Sequence, residues 1–366
     1  MIKRAILTGA ASATLILAAC GGTPTTSGGG SSNVPSPPAA TLTGAGATFP
    51  YPFYSAAFYA YKQRFQQVTV NYQSVGSGAG IQQLTQKTVD FGASDVPLKD
   101  TEVSAIGGAD KVIQIPTTLG TESIAYNLNG IGDGQLKLTP DTIAGIFLGK
   151  IKKWNDPALK ADNSGLNLPN QAITVVHRSD GSGTTYIFTD YLSKVSAEWK
   201  SKVGTGKSVS WPVGVGAKGN EAVATSIQQT PGAIGYVELA YVLQTHMTQA
   251  KLRNADGNFV LPSPAGATAA AQSKPDVTPT DFSIVNAPGA NSAPITGFSW
   301  AMMYTAQADK NKGTALVDLF YWLVNDGQQF AQNLHYAKLP TSVVQKDIQT
   351  LRQVKYNSDP LLKVSS

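Results

Sequence analysis

Near its middle the chain carries the stretch His177-Arg178-Ser179-Asp180-Gly181-Ser182-Gly183-Thr184-Thr185. An apolar run precedes it at residues 173–176, and apolar residues with helical spacing follow it at residues 186–192. This order predicts a strand, a tight turn and the N-terminus of a helix. Because a helix N-terminus presents unpaired backbone N–H groups, the junction is a candidate site for an anion.

The side chains of this stretch strengthen that prediction. Arg178 offers a planar fork of charged donors that suits a tetrahedral anion. Ser182 and Thr184 offer hydroxyl groups, and Gly183 lets the backbone approach a ligand closely. Asp180 is only an acceptor when it is ionised, so we expect it to position Arg178 rather than to contact an anion. The stretch therefore predicts an anion-binding turn.

The first twenty residues have the form of a targeting signal. A short basic start, Lys3 and Arg4, is followed by a small apolar region at residues 5–19 and then by Cys20. That apolar region is short for a membrane-spanning helix, and a small-residue cleavage site follows it. The junction resembles the lipobox of bacterial lipoproteins, which implies a signal peptide at residues 1–19 and a lipid on Cys20. Since Cys20 is the only cysteine, no intrachain disulfide can form.

Composition separates a tether from a folded body. The residues after Cys20, up to residue 41, carry no charge and are almost entirely Gly, Ser, Thr, Pro and Ala. Residues 20–41 therefore predict a lipidated cysteine with a flexible tether whose r.m.s. reach is roughly 25 Å. The remainder exceeds the usual size of one core, so we expect two domains. The formal net charge is +5, and +3 without Lys3 and Arg4, too little to favour a nucleic-acid partner.

Two further glycine-rich loops run into helical patterns. In the first, at residues 42–50, Thr48 suits an N-cap ahead of two prolines. In the second, at residues 75–80, Ser77 follows a predicted strand, but the spacing is neither a dinucleotide fingerprint nor a P-loop. The helix after the second loop is expected to carry Ile81, Leu84 and Thr88 on one face.

Strands and helices alternate along the rest of the chain. A strand at residues 89–95 ends at Asp95, and ligands of open α/β sheets bind beyond such strand ends. Residues 112–116 and 124–128 predict two more strands, between which we expect the chain to enter a second domain. The alternation predicts an α/β fold with largely parallel pairing. Residues 261–293, rich in Ala, Pro, Ser and Thr, predict a surface excursion.

The sequence lacks the usual patterns of catalytic and metal sites. The three histidines, at positions 177, 246 and 335, show no metal-ligand spacing. Ser182 does not lie in the Gly-x-Ser-x-Gly pattern of a nucleophile elbow. We therefore predict no catalytic residue, no metal ion and no cofactor, and we assign no role to His177.

Six segments together resemble one known family. They occupy residues 43–50, 76–78, 89–95, 148–154, 178–184 and 231–237. In this order they resemble the PstS family, the phosphate-binding subunits of bacterial phosphate ABC transporters, in its lipoprotein form. The resemblance implies a type II periplasmic-binding-protein fold, in which two α/β domains are joined by a hinge and separated by an interdomain cleft. It implies a discontinuous domain I at residues 42–118 and 292–366, and a domain II at residues 119–291.

The resemblance also implies the ligand contacts. The family's phosphate-binding positions fall on Thr48, Phe49, Ser77, Asp95, Arg178, Ser182, Gly183 and Thr184. Asp95 would accept the proton that phosphate still carries at neutral pH, and Asp180 would orient Arg178. A buried carboxylate facing fully ionised sulfate would bring two hydrogen-bond acceptors together. Asp95 would therefore make the site select phosphate over sulfate.

The function implied is high-affinity, extracytoplasmic binding of inorganic phosphate and its delivery to an ABC permease with its ATPase. The protein would be a monomer that is not an enzyme. It would be lipid-anchored to a bacterial membrane, at the periplasm or the cell surface, with no nucleic-acid partner. Two alternatives stay open at this point. One is a secreted phosphomonoester hydrolase that uses Ser182, and the other is a binder of another tetrahedral oxyanion such as sulfate.

Overall fold

The computed structural model describes residues 36–363. The predicted signal peptide, Cys20 and most of the predicted tether lie outside these residues. The first strand begins at Ala40, within the last residues of the predicted tether. The side-chain amide of Gln67 holds the segment ahead of it, donating to Ser36 Oγ at 2.9 Å and to the Pro37 carbonyl oxygen at 2.7 Å.

The described residues alternate between strands and helices, as the sequence predicts. The strands are β1 (Ala40–Gly46), β2 (Val68–Ser74), β3 (Phe91–Ser94), β4 (Val112–Tyr126), β5 (Lys137–Leu138), β6 (Thr174–Arg178), β7 (Val215–Ala217), β8 (Ala233–Glu238), β9 (Thr248–Gln249), β10 (Lys251–Arg253), β11 (Phe259–Val260), β12 (Thr296–Tyr304), β13 (Lys355–Tyr356) and β14 (Asp359–Pro360). The α-helices are α1 (Tyr51–Arg64), α2 (Ser77–Thr85), α3 (Asp100–Ile106), α4 (Pro140–Phe147), α5 (Pro157–Asp162), α6 (Gly183–Val195), α7 (Ala197–Lys202), α8 (Gly219–Gln229), α9 (Leu239–Gln244), α10 (Pro264–Gln272), α11 (Lys310–Val324) and α12 (Thr341–Leu351). Two short 3-10 helices cover Asp326–Phe330 and Gln332–Leu334. Within residues 36–363, no helix has the length and hydropathy needed to span a bilayer.

Most of the strands join one mixed sheet. Its order is β2-β1-β3-β12-β4-β8-β6-β7, with β9 also beside β4. Pairing is parallel at both ends, between β1 and its neighbours β2 and β3, and between β6 and its neighbours β7 and β8. In the middle, β12 and β4 are antiparallel to their neighbours. The prediction of largely parallel pairing is therefore wrong for the centre of the sheet, where chain from residues beyond 290 returns.

Strand β4 links the two halves of the sheet. Residues 112–121 pair with β12, and residues 122–126 pair with β8. The two strands predicted at residues 112–116 and 124–128 are thus one continuous strand. Because one continuous strand pairs first with β12 and then with β8, it connects the two parts of the sheet.

Helix α1 packs the aromatic face that its spacing predicts. Tyr54, Phe58 and Tyr61 are buried, whereas Tyr59 on the opposite face is 68% exposed. The predicted N-cap is wrong, because the helix begins at Tyr51 with Pro50 before it and without a side-chain cap. Prolines suit these positions, since the first N–H groups of a helix have no intrahelical acceptor. The hydroxyl of Thr48 is left for other partners.

Two further predictions are corrected by the fold. Helix α2 ends at Thr85, so Thr88 lies beyond it and is exposed rather than on its buried face. The stretch at residues 261–293 is not only a surface excursion, because helix α10 packs against β4 and β12. Its small side chains explain the close packing: a Cβ on Gly266 would lie 3.0 Å from the Cβ of Ala293.

Two buried glutamates face each other where β4 begins to pair with β8. Glu122 is in register with Glu238, and both are fully buried. Both Glu122 carboxyl oxygens and Glu238 Oε1 have no hydrogen-bond partner among residues 36–363. Burial raises the pKa of each carboxyl well above its ordinary value. The crossing point of the sheet therefore favours the protonated, neutral form of this pair.

Candidate functional site

The predicted site residues of the first half lie where parallel strands end. Thr48 and Phe49 follow β1, Ser77 opens α2 after β2, and Asp95 follows β3. All four are buried, with Thr48 and Asp95 each 2% exposed and Phe49 and Ser77 fully enclosed. Since β1, β2 and β3 are parallel neighbours, their carboxyl ends bring these residues to one edge of the sheet.

The second half is the strand-turn-helix junction at residues 178–184. Arg178 is the last residue of β6, and Ser182 caps α6 by accepting the N–H of Thr185 at 3.0 Å. Ser182, Gly183 and Thr184 are buried, and Arg178 is 3% exposed. The sequence prediction of strand, turn and helix N-terminus is confirmed here, and the junction faces the first half.

Asp180 contacts Arg178 as expected. Its two carboxylate oxygens accept from Arg178 Nε at 2.7 Å and from Nη2 at 2.6 Å. Arg178 Nη1 donates to Thr184 Oγ1 at 3.2 Å. Within residues 36–363, three of the five guanidinium N–H groups are thus used, which leaves two for a ligand. Desolvation opposes ionisation of Asp180, but its pairing with Arg178 outweighs that effect and lowers the pKa of its carboxyl.

Direct hydrogen bonds join the two halves. Ser77 Oγ accepts the backbone N–H of Gly183 at 3.0 Å, and the N–H of Gly78 donates to the carbonyl oxygen of Gly181 at 2.8 Å. The closeness depends on glycine, because a Cβ on Gly183 would lie 2.5 Å from both Cβ and Oδ2 of Asp95. The structure is therefore a closed arrangement of the two halves.

Asp95 is the acidic member of the cleft. Burial raises the pKa of its carboxyl from 3.8 to about 7, although the Ser299 hydroxyl, the charge of Arg178 and the N–H of Thr184 favour the ionised form. Ser299, on β12, donates a short hydrogen bond to Asp95 Oδ1. A carboxylate held this way can accept a proton from a ligand, because it is desolvated yet surrounded by groups that stabilise its charge.

Phe49 is held by its backbone and its ring. Its carbonyl oxygen accepts from the Tyr336 hydroxyl at 2.6 Å, and its ring lies 6.4 Å from that of Tyr336. The aromatic side chain is therefore part of the core, so only the backbone of Phe49 is suited to a polar ligand.

Asn220 is the site residue that sequence reasoning missed. It is fully buried at the start of α8, and its Nδ2 lies 2.8 Å from Thr48 Oγ1 and 3.1 Å from Thr184 Oγ1. The available signal was Gly219-Asn220, another glycine immediately ahead of a helical pattern. That pattern alone predicts a helix and not its position in the cleft.

His177 lies outside this group of residues. Its ring stacks on Trp211, with centroids 4.7 Å apart and planes at 14°. Among residues 36–363 there is no cluster of three or more His, Cys, Asp or Glu side chains that could hold a metal ion. The chemistry of the cleft is therefore that of many donors and one buried carboxyl.

Comparison with known proteins agrees with this arrangement. A family model described as the PBP superfamily domain matches residues 31–326. The chain is 46% identical over 322 residues to the phosphate-binding protein PstS of Xylella fastidiosa (strain Temecula1), covering 86% of this chain and 87% of that protein. The chain belongs to the PstS family. Its relative in Pasteurella multocida is 46% identical over 310 residues, covering 84% of this chain and 89% of the relative.

A solved structure supports the fold independently. The phosphate-binding protein from Stenotrophomonas maltophilia superposes with a TM-score of 0.63, covering 85% of this chain and 93% of that one, at 18% identity. Together with the family match, this confirms the predicted two-domain periplasmic-binding-protein fold.

We predict that Ser299→Ala raises the pKa of the Asp95 carboxyl from its value of about 7, because the variant loses a hydrogen bond that favours the ionised form. The carbon-13 shift of the labelled Asp95 carboxyl, followed against pH, measures this. A carboxyl whose pKa is higher in the folded than in the unfolded chain costs stability as pH rises from about 4 to about 7, so Ser299→Ala should deepen that loss.

Ser104→Ala is the matched control, since the Ser104 hydroxyl donates to a helix carbonyl oxygen on the exposed face of α3. It should leave the Asp95 titration unchanged. An unchanged or lowered midpoint in Ser299→Ala would contradict the assigned hydrogen bond.

Proposed function

We propose that this protein binds inorganic phosphate outside the cytoplasm and delivers it to an ABC permease for import. The relatives named above are phosphate-binding proteins. The observation that carries the proposal is the pairing of one buried acceptor, Asp95, with a buried donor set around Arg178. Phosphate at neutral pH needs both, since it presents several acceptor oxygens and at least one proton.

The ligand contacts we propose are the eight positions predicted from the sequence. They are Thr48, Phe49, Ser77, Asp95, Arg178, Ser182, Gly183 and Thr184, with Asp180 orienting Arg178. Support comes from their common burial at one cleft and from the two Arg178 N–H groups left over by the described residues. Sulfate lacks a proton at neutral pH, so it would face the Asp95 carboxylate without a hydrogen bond between them.

Asp95→Asn should remove most of the selectivity between phosphate and sulfate. In the wild-type protein we expect phosphate to bind at least about 10⁴-fold more tightly than sulfate, since a site built around a ligand proton rejects an analogue that lacks it. Arsenate, which also carries a proton, should bind. Calorimetric titration with the three anions at about pH 8.5, where the Asp95 carboxyl is mainly ionised, measures this, and equal wild-type affinity for sulfate would exclude the role given to Asp95.

Domain closure is the second element of the proposal. We assign domain I to residues 42–118 and 292–366 and domain II to residues 119–291. The switch of β4 from β12 to β8 between Thr121 and Glu122 supports a boundary in this strand. In this scheme, phosphate binds between the domains and stabilises the closed arrangement over an open one.

Gly183→Ala should prevent full closure, because the new Cβ would overlap the backbone and side chain of Asp95. We expect phosphate affinity to fall at least about 100-fold, since misplacing the donor set by even 1 Å is costly. We also expect the decrease in radius of gyration on adding phosphate, measured by small-angle X-ray scattering, to be lost. Gly165→Ala is the control, because a Cβ there would meet nothing within 4 Å.

We favour binding over hydrolysis. The Ser182 hydroxyl accepts the N–H of Thr185 as a helix cap, and no imidazole or carboxylate in residues 36–363 is hydrogen-bonded to it. A serine nucleophile needs such a base to remove its proton. The hydrolase alternative therefore lacks, among the described residues, a base that is hydrogen-bonded to its nucleophile.

The remaining elements of the proposal concern location and partners. We propose that residues 1–19 are removed as a signal peptide and that Cys20 carries the lipid, which anchors a monomer to a bacterial membrane at the periplasm or the cell surface. Delivery would then be to permease subunits powered by an ATPase. Mass spectrometry of the mature N-terminus tests the modification, and an unmodified or uncleaved N-terminus would exclude it.

A further inference from the structure

Asn220 is hydrogen-bonded to hydroxyl groups from both sides of the cleft. Its side-chain Nδ2 lies 2.8 Å from Thr48 Oγ1, on the first half, and 3.1 Å from Thr184 Oγ1, on the second. Its backbone N–H also donates to Thr48 Oγ1, at 3.2 Å. Asn220 is fully buried, so none of these bonds competes with bulk water.

The orientation of the Asn220 amide follows from a backbone donor. Its Oδ1 lies 3.0 Å from the backbone nitrogen of Glu238. A backbone N–H can only donate, so the amide oxygen must face Glu238 and the NH₂ group must face the two threonines. Both NH₂ protons then have acceptors, one on Thr48 and one on Thr184.

These contacts occupy the acceptor positions of both threonine hydroxyls. Thr48 Oγ1 accepts two bonds, both from Asn220. Thr184 Oγ1 accepts one from Asn220 and one from Arg178 Nη1. A hydroxyl oxygen has two lone pairs and one proton, so each of these groups can now only donate. Neither O–H has an acceptor among residues 36–363.

The same polarity holds for a third hydroxyl of the cleft. Ser77 Oγ accepts the N–H of Gly183 at 3.0 Å and that of Asp95 at 3.4 Å. Three hydroxyls are therefore restricted to donation, and Asp95 is the acidic acceptor beside them. Backbone N–H groups enforce this at Ser77, but at Thr48 and Thr184 it depends on one side chain.

We propose that Asn220 is a positioning residue that sets the hydrogen-bond polarity of the anion site. By filling the lone pairs of Thr48 and Thr184, it makes both hydroxyls obligate donors to ligand oxygens. Asp95 is then the group that accepts a hydrogen bond from the protonated oxygen of the ligand. The protonated oxygen must therefore face Asp95, which fixes the orientation of the anion. This inference rests on the proposed phosphate binding and adds a residue that determines specificity at the same site.

Two substitutions at Asn220 separate the hydrogen-bond polarity of its side chain from the size of that side chain. Asn220→Asp keeps the acceptor for Glu238 N–H but turns the NH₂ donor into a second acceptor, which would capture the threonine protons and add a negative charge. We expect its phosphate affinity to fall about 100-fold or more, since two charge-assisted hydrogen bonds are lost. Asn220→Ala frees one lone pair on each of the two threonine hydroxyls without adding an acceptor, and we expect a loss of about 10-fold.

A double-mutant cycle tests whether Asn220 affects phosphate affinity through the hydroxyls of Thr48 and Thr184. Phosphate affinity is measured by calorimetry for Asn220→Ala in the wild-type chain and in a chain that carries Thr48→Val and Thr184→Val. If Asn220 acts through these hydroxyls, its removal should cost less than about 3-fold in the second background, because no hydroxyl remains to be polarised. Equal losses in both backgrounds would overturn the proposal and leave Asn220 a structural residue.

Asn254→Asp is the matched control. Asn254 is a buried asparagine whose Nδ2 lies within 3.3 Å of three carbonyl oxygens away from the cleft, those of Gly289, Ala290 and Ser292. We expect Asn254→Asp to have a lower melting temperature and unchanged phosphate affinity.

If Asn220→Asp does not fold, the double-mutant cycle with Asn220→Ala still tests the role of Asn220. A wild-type protein that binds no phosphate overturns the proposed function itself, whereas wild-type binding with an unaffected Asn220→Asp overturns only the role of Asn220.

Discussion

The cleft depends on burying the Arg178 guanidinium with its charge compensated. An unpaired charge of this kind would cost several kcal/mol on transfer from water, so it needs a partner of fixed geometry. Asp180 supplies one through two parallel hydrogen bonds, and the N–H of Gly219 holds the same carboxylate at 3.1 Å. With one guanidinium edge held by Asp180 and one further N–H held by Thr184, the orientation of the guanidinium plane is fixed.

That ion pair also constrains the opposite side of the cleft. A Cβ on Gly76 would lie 2.2 Å from Asp180 Oδ2, so the loop that leads to Ser77 has to approach without a side chain. Gly76 also has a φ of 95°, which glycine adopts without strain. The two halves therefore meet here through hydrogen bonds, from Gly78 N–H to the Gly181 carbonyl oxygen and from Gly183 N–H to Ser77 Oγ. Such contacts are individually worth about 1 kcal/mol, which suits a closure that a ligand can shift.

The local features of the fold were accessible from the sequence because they depend on neighbouring residues. The spacing of Tyr54, Phe58 and Tyr61 identifies the buried face of α1. The anion-binding turn was recognisable because strand, glycine and capping serine are consecutive. The cap assigned to Thr48 failed because its hydroxyl is used by Asn220, which lies 172 residues away in the chain.

The predictions of strand direction and strand number were wrong where a strand pairs with a segment far away in the sequence. A pattern of apolar residues does not say whether neighbouring strands run parallel, so the antiparallel centre formed by β4 and β12 could not be read from periodicity. The division of β4 into two strands had the same origin. Its polar middle at residues 117–123 looks like a loop, but it is buried between β12 and β8.

The sequence by itself determined the residue types and their local placement: donors and glycines at helix starts, and an acid at a strand end. It therefore sufficed for the alternating α/β pattern and, through resemblance, for the family and the eight proposed contacts. Only the tertiary structure decided that Asp95 is buried beside Ser299, that residues 36–363 leave two Arg178 N–H groups unused, and that Asn220 reaches both threonines. The reason is physical, since the pKa of a carboxyl and the direction of a hydroxyl proton depend on groups brought together by folding.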